Sequence, residues 1–147
     1  MRILLTGGAG FIGSHLAESL ILKGGHSLTV IDNFDPFYDR SIKEKNIAAL
    51  KSNPAFRIIE GDFRSLPSFE NQLEENYDAI IHVGAKAGVL PSIKDPIGYE
   101  DVNIKGTLQL LEFAKKRNIK QFVFCSSSSV YGVNPKTPWS ESDPVLL

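Results

Sequence analysis

The sequence predicts an α/β fold, a doubly wound parallel sheet with strand order 3-2-1-4-5. Three observations carry this. Five short apolar runs alternate with helical or turn-rich segments along 147 residues. The first run passes directly into glycines 7, 10 and 13 and then into a helical pattern. The stretch just past each run opens on a small or polar residue: Gly7-Gly8, Asp32-Asn33, Asp62-Phe63, Gly84-Ala85-Lys86 and Ser126-Ser127. Right-handed crossovers between parallel strands put helices on both faces. Ligands of such sheets gather outside the carboxyl ends of the strands, here at the switch between strands 1 and 4.

Strand 1 begins at Arg2-Ile3-Leu4-Leu5, and Thr6-Gly7-Gly8-Ala9-Gly10-Phe11-Ile12-Gly13 turns into the first helix. Ile12, Leu16 and Leu20 recur at four-residue spacing and put one apolar stripe on that helix. Each glycine has its own chemical reason. Gly7 lets the chain turn sharply out of the strand, and Gly10 removes the Cβ that would keep backbone from a pyrophosphate. Gly13 lets the helix lie close on the strand. The free N–H groups at the helix start then face the phosphates, with the positive end of the dipole behind them. Lys23-Gly24-Gly25-His26 is a helix stop, a basic last turn followed by glycine able to take the left-handed cap. Strand 2, Ser27 to Ile31, ends in Asp32, 19 positions after Gly13. A carboxylate there is placed to accept hydrogen bonds from an adenosine ribose and would repel a 2′-phosphate, which favours NAD over NADP. The blander alternative makes Asp32 the start of a turn and the three glycines purely structural.

The loop Asn33-Phe34-Asp35-Pro36-Phe37-Tyr38-Asp39 is too rich in turn formers for helix. Helix resumes near Ser41, with Ile42, Ile47 and Leu50 among lysines, and stops at Ser52-Asn53-Pro54. Strand 3, Phe56 to Glu60, ends at Gly61-Asp62, and a short helical segment over 66–74 leads to strand 4, Tyr77 to Val83. The longest helix is predicted over 97–117. Leu108, Leu111 and Lys115 share one row, and Val102, Leu110, Phe113 and Ala114 widen its apolar side. Lys115-Lys116-Arg117 suits the negative end of the dipole and Asn118 the cap. Gly106 costs ~1 kcal/mol inside a helix, which points to close packing on the sheet. Strand 5, Gln121 to Cys125, is nearly all apolar, as a strand covered on both faces should be, with Cys125 a small core residue.

Composition narrows the classes. With 42% hydrophobic and 22% charged residues, the chain is expected to be a soluble domain with a single core. A net charge of −1 gives no electrostatic case for nucleic acid or a membrane surface as partner. No apolar run approaches the ~20 residues of a membrane span, and with strand residues directly after Met1 no signal peptide is expected. The single cysteine cannot form an internal disulfide and fits a reducing cytoplasm. No His/Cys/Asp cluster has metal-ligand spacing, so no metal is expected. His15 and His82 read as packing or hydrogen-bonding residues.

Six stretches then line up in one order: Thr6 to Gly13, Asp32-Asn33-Phe34, Gly61-Asp62, Ala87-Gly88-Val89, Asn103-Ile104-Lys105-Gly106-Thr107, and Cys125 to Gly132. In this the chain resembles the extended short-chain dehydrogenase/reductases, a Rossmann-type family, and within them the NAD-dependent nucleotide-sugar epimerases. The likeness is strongest to UDP-glucuronate 4-epimerases, in Ala87-Gly88-Val89-Leu90-Pro91-Ser92 and in Ser126-Ser127-Ser128-Ser129-Val130-Tyr131-Gly132. Leu90 departs from it, standing where many of those enzymes have arginine. The resemblance implies NAD as cofactor, a UDP-sugar as substrate and a homodimeric full-length enzyme. It implies cofactor contacts from Gly7, Gly10, Phe11, Ile12, Gly13, Asp32, Asn33, Asp62, Phe63, Val83, Gly84, Ala85, Asn103 and Ser126. Asp62 would contact the adenine amino group or else cap the next segment; Asn103 would hold backbone near the nicotinamide. Lys86 would reach phosphates, substrate or only solvent.

Ser127 occupies the position whose hydroxyl hydrogen-bonds the reacting sugar oxygen, and is the catalytic residue the resemblance implies. The bland reading of the four serines is that they satisfy strand-end backbone groups. In that family a tyrosine, kept ionised by a lysine, takes the proton of the 4-hydroxyl while NAD⁺ takes the C4 hydride. The 4-keto sugar turns over and the hydride returns to its other face. The pair is Tyr-x-x-x-Lys, one turn apart on the helix after strand 5. No tyrosine here has lysine four places on: Tyr38 precedes Ile42, Tyr77 precedes Ile81, Tyr99 precedes Asn103 and Tyr131 precedes Pro135. Residues 1–147 are therefore expected to be an incomplete NAD-binding domain without its substrate domain, shaping the cofactor site but not catalysing. Trp139 is expected to lie against the missing part, and apolar surface beside strand 5 to stay uncovered. The alternatives are a sugar-nucleotide 4,6-dehydratase, ranked lower because Ser128-Ser129 supplies no acid, and a stand-alone NAD-binding module.

Overall fold

The computed structural model describes residues 1–146. Its five strands, β1 (Arg2–Thr6), β2 (Ser27–Asp32), β3 (Phe56–Glu60), β4 (Ala79–His82) and β5 (Gln121–Phe124), are all parallel. They form one sheet in the predicted order, β3-β2-β1-β4-β5. Thr6 pairs with Ile31 on one side and His82 on the other. The carboxyl ends of β1, β2 and β4 therefore finish level, and their loops emerge side by side.

The connecting segments are α1 (Phe11–Leu22), α2 (Arg40–Ile47), a 3₁₀ segment (Phe63–Gln72), α3 (Val89–Lys94), α4 (Pro96–Glu100), a π turn (Asp101–Lys105) and α5 (Gly106–Lys116). A 3₁₀ turn, Ser128–Tyr131, follows β5. Alternate β1 residues feed two cores, as the strand period requires. Ile3 and Leu5 join Ala17, Ile21, Ile47 and Leu50 on one face; Leu4 joins Phe63, Leu66, Phe69, Leu110 and Phe113 on the other.

Several expectations shift. The buried row of α1 is Gly13, Ser14, Ala17 and Ile21, while Ile12 is 60% exposed. Gly13, Ser14 and Ala17 let α1 settle close to the strands, while Leu16 and Leu20 of the expected stripe are half-buried and pack against the same core. In α5 the buried face is Gly106, Leu110, Phe113 and Ala114, and Leu108 and Leu111 are exposed. The segment expected over 66–74 is 3₁₀ with Pro67 inside and kinks at Ser65 and Phe69; proline removes the N–H an α-helix needs. Strand 4 is shorter than expected at both ends. The cap glycine after α1 is Gly25 (φ +60), and Asn118 (φ +55) caps α5 as expected. β5 is an edge strand with Val123 and Phe124 exposed, so its two faces are not both covered. Cys125 is exposed too, not a core residue. Trp139 stacks on Tyr131 at 5.3 Å, within the chain's own last loop. No helix among the described residues is long and apolar enough to cross a membrane.

Candidate functional site

The bend after β1 forms because Gly7 takes φ +71, and a Cβ there would sit 2.7 Å from Gly84 Cα. The carboxyl ends of β1 and β4 thus close on each other. Gly13 is needed for a different contact: its Cβ would collide with the Gly7 carbonyl and Gly8 Cα, so the first turn of α1 rests on the bend rather than on the strand. Gly10 is the α1 N-cap, with no side-chain cap and no acid in the first turn. A Cβ on Gly10 would meet nothing nearer than the Gly7 carbonyl at 3.3 Å and Tyr38 Oη at 3.6 Å. The Gly7 contact is tight, so glycine leaves bare backbone there, over a helix start whose N–H groups have no side-chain acceptor.

This bend is one wall of a cleft of about 320 Å³. It brings together Gly7, Gly10, Phe11, Ile12, Gly13, Asp32, Asn33, Asp62, Phe63, Val83, Gly84 and Ala85. A larger cavity, about 560 Å³, lies between the 3₁₀ segment and α5, away from the strand ends; position, not size, singles out the first. Asp32 is only 5% exposed. Its Oδ2 accepts from Ala9 N–H (2.9 Å) and its Oδ1 from Phe34 N–H (2.8 Å), so it braces the bend while standing on the cleft wall. Each oxygen keeps a lone pair beyond these bonds.

The outer wall is more constrained than its residue types suggest. Asp62 caps the 3₁₀ segment through Arg64 N–H (2.9 Å), takes Arg64 Nε (2.9 Å) and Nη2 (2.6 Å), and accepts from Asn33 Nδ2 (3.1 Å). Burial pushes its pKa up, but Arg64 and Asn33 outweigh burial and hold it below the usual carboxylate range. Arg64 also pairs with Asp101 in the π turn. Lys86, across the cleft, bonds Asp95 Oδ2 (2.8 Å), which raises its pKa, and lies over the Tyr99 ring. Asn103 lies behind the cleft with both ends of its amide on the Lys86 backbone: Oδ1 accepts from Lys86 N–H (2.8 Å) and Nδ2 donates to Lys86 O (2.9 Å). Gly106, expected against the sheet, instead abuts Phe63 and Arg64. Ser126 and Ser127 are exposed past β5, outside the lining of the cleft. Ser127 Oγ accepts from Ser129 N–H and donates to Ser129 Oγ, both at 3.2 Å, and so caps the 3₁₀ turn that follows β5.

With the cleft described, comparison with known proteins decides the family. The model of the NAD dependent epimerase/dehydratase family matches residues 3–145. The chain belongs to that family. It is 38% identical over 144 residues to a probable UDP-glucuronate 4-epimerase of Rhizobium meliloti, covering 97% of this chain and 42% of that protein. The UDP-glucuronic acid 4-epimerase of Bacillus cereus, solved in complex with UDP-glucuronic acid and NAD, superposes with a TM-score of 0.84 at 35% identity, over 99% of this chain and 46% of that one. The UDP-glucose-4-epimerase of Stenotrophomonas maltophila, with bound NAD and formylated UDP-arabinopyranose, gives 0.83 at 32%, over 99% and 43%. The chain spans less than half the length of these proteins.

The cleft fits the family's cofactor on its own geometry. The Cβ-free backbone at Gly10, the uncapped start of α1 and an acid at the end of β2 are the parts a dinucleotide uses. Two members of the wall, Lys43 and Tyr38, and one residue behind it, Asn46, escape a reading of motifs. Lys43, on α2, is 7% exposed and sits 3.5 Å from Asp32 Oδ1. Tyr38 lines the same wall with a buried, unpartnered hydroxyl. Asn46 Nδ2 donates to Ala9 O (3.1 Å) and ties α2 to the bend. Lys43 stands in a run of lysines whose helical pattern looks solvated, so no periodicity marks it. Among the described residues no group of acids, histidines and cysteines is placed to hold a metal.

Proposed function

We propose that this protein binds NAD in the cleft at the carboxyl ends of β1, β2 and β4, as the cofactor-binding part of a UDP-sugar epimerase. The sugar is UDP-glucuronate or UDP-galacturonate, interconverted at C4 through a 4-keto intermediate. The observation that carries the cofactor assignment is the glycine bend at residues 7–13 leading into an uncapped helix start, with Asp32 at the end of β2. NAD, when bound, supplies reversible hydride acceptance. The chain's own residues bind and orient: the bend receives the diphosphate, and Asp32, already fixed by Ala9 and Phe34, offers its remaining lone pairs to a ribose. Ser127 offers a hydroxyl to the sugar oxygen at the end of β5. Likeness to the Rhizobium and Bacillus proteins supports the uronate, and Leu90 is the position at which this chain departs from that pattern. The proton-transfer pair Tyr-x-x-x-Lys is not among the 147 residues, so these residues alone bind without turnover.

Calorimetric titration with NAD and NADP tests this. NAD should bind the more tightly, and Asp32→Ala should weaken it by roughly tenfold or more, the ~1.5–3 kcal/mol of a hydrogen bond to a charged group. NADP binding as well as NAD would remove the role given to Asp32. Conversion of UDP-glucuronate in the same NAD-containing samples would show that proton transfer is housed within this chain.

A further inference from the structure

Behind the cleft runs a file of hydrogen bonds that no dinucleotide-binding rule requires. Gly84 N–H donates to Thr6 Oγ1 (3.1 Å), Thr6 Oγ1 lies 2.6 Å from His82 Nδ1, and His82 Nε2 lies 3.0 Å from Thr107 Oγ1. Thr107 Oγ1 in turn is 2.6 Å from the Asn103 carbonyl. The direction of each bond follows from counting protons. A carbonyl cannot donate, so the one hydroxyl proton of Thr107 is spent on Asn103 O. Thr107 must then accept from His82, which puts a proton on Nε2. A neutral imidazole has its other nitrogen bare, so Nδ1 accepts, and the Thr6 hydroxyl is its donor. Thr6 Oγ1 is left free to accept from Gly84 N–H, as observed. Every proton in the file has one acceptor, and each hydroxyl donates once and accepts once.

An imidazolium would break this file, because Thr6 would then face a second donor and lose its acceptor. The surroundings agree: His82 is 2% exposed, and the rings of Phe63, Phe122 and Phe124 stand around it at 5.1, 6.3 and 5.7 Å. Both ends of the file touch the cleft. Gly84 lines it beside Gly7, and Asn103 grips both backbone groups of Lys86, also a lining residue. The π turn that carries Asn103 is the kind of helix irregularity that recurs at functional sites.

We propose that His82 is a positioning residue for the cofactor cleft: held as the neutral Nε2–H form, it locks the Gly84–Lys86 loop to the β1 bend on one side and the π turn on the other. This rests on the reading of the cleft as an NAD site. In the isotope-labelled protein, ¹⁵N NMR of the imidazole at neutral pH should show His82 with Nε2 protonated and Nδ1 bare. Thr107→Val keeps shape but removes both hydroxyl bonds. It should move the His82 proton toward Nδ1 and weaken NAD binding about tenfold, the loss of roughly one buried hydrogen bond. Thr107→Ser, which restores the hydroxyl, should recover both. An Nδ1–H imidazole in the unaltered protein overturns the proposal whether or not the valine variant folds. So does wild-type NAD affinity in a folded Thr107→Val. An unaltered protein that shows the Nε2–H form yet binds no NAD refutes the cofactor reading, and with it the role given to this file, while its protons stand as assigned.

Discussion

A neutral histidine buried in the core couples folding to pH. Burial pushes the His82 pKa from 6.5 down to about 4. Between those values the unfolded chain binds a proton that the folded chain refuses, so stability rises with pH across that window. It is fully present above the unfolded value and is lost as pH falls toward 4. The lowered carboxylates, Asp62 among them, act in a lower window, beginning near the ordinary carboxyl range. Urea unfolding at about pH 7 and about pH 5 separates the two. The stability should drop by roughly 2 kcal/mol between them, by linkage from the His82 shift. Equal stabilities would mean that His82 titrates normally and is open to water. At this scale the sequence was partly readable. The glycines and Asp32 announce themselves by type and spacing, because a phosphate cradle tolerates few alternatives. Lys43 and Tyr38 do not, because their place in the cleft depends on how the loop 33–39 folds back toward the bend.

Between residues and the whole molecule, the strands and their order were legible because apolar runs separated by helical segments leave few arrangements of a parallel sheet. Helix type was not. Apolar spacing marks which residues are buried but does not distinguish α, 3₁₀ and π windings, and the long helix expected over 97–117 is α4, a π turn and α5 in series. Which face packs was also displaced, since α1 settles on small residues and leaves leucines half-buried. Gly106, at the junction of the π turn and α5, shows why. Alanine there would gain ~1 kcal/mol of helix propensity. Its Cβ, however, would strike the buried Phe63 ring and lie 3.2 Å from Arg64 Cγ. Phe63 is fixed in the core and Arg64 by Asp62 and Asp101, so neither can retreat. Overpacking costs ~1–3 kcal/mol, and the clash should win. Chemical denaturation of Gly106→Ala should show a net loss of about 1 kcal/mol. A variant more stable than the parent would mean that the 3₁₀ segment is free to move away from α5.

Taken whole, the molecule exposes apolar side chains along α3 to α5, at Ile93, Ile97, Ile104, Leu108 and Leu111, and on β5, at Val123 and Phe124. β5 closes the sheet with nothing paired to its outer edge among the described residues. An unpaired strand edge offers a row of backbone donors and acceptors, and exposed apolar surface beside it adds a driving force for association. The opposite edge is better defended. β3 carries Glu60, held by Arg40, and Arg57 on an exposed face. Charges of this kind resist edge-to-edge pairing, so self-association should proceed through the β5 side. Sedimentation velocity should show the protein associating as its concentration rises. Val123→Lys, placed on the exposed edge, should shift the distribution back toward monomer. A monodisperse monomer at high concentration would show that this apolar surface is innocuous, and a lysine variant that still associates would move the contact to the helical side.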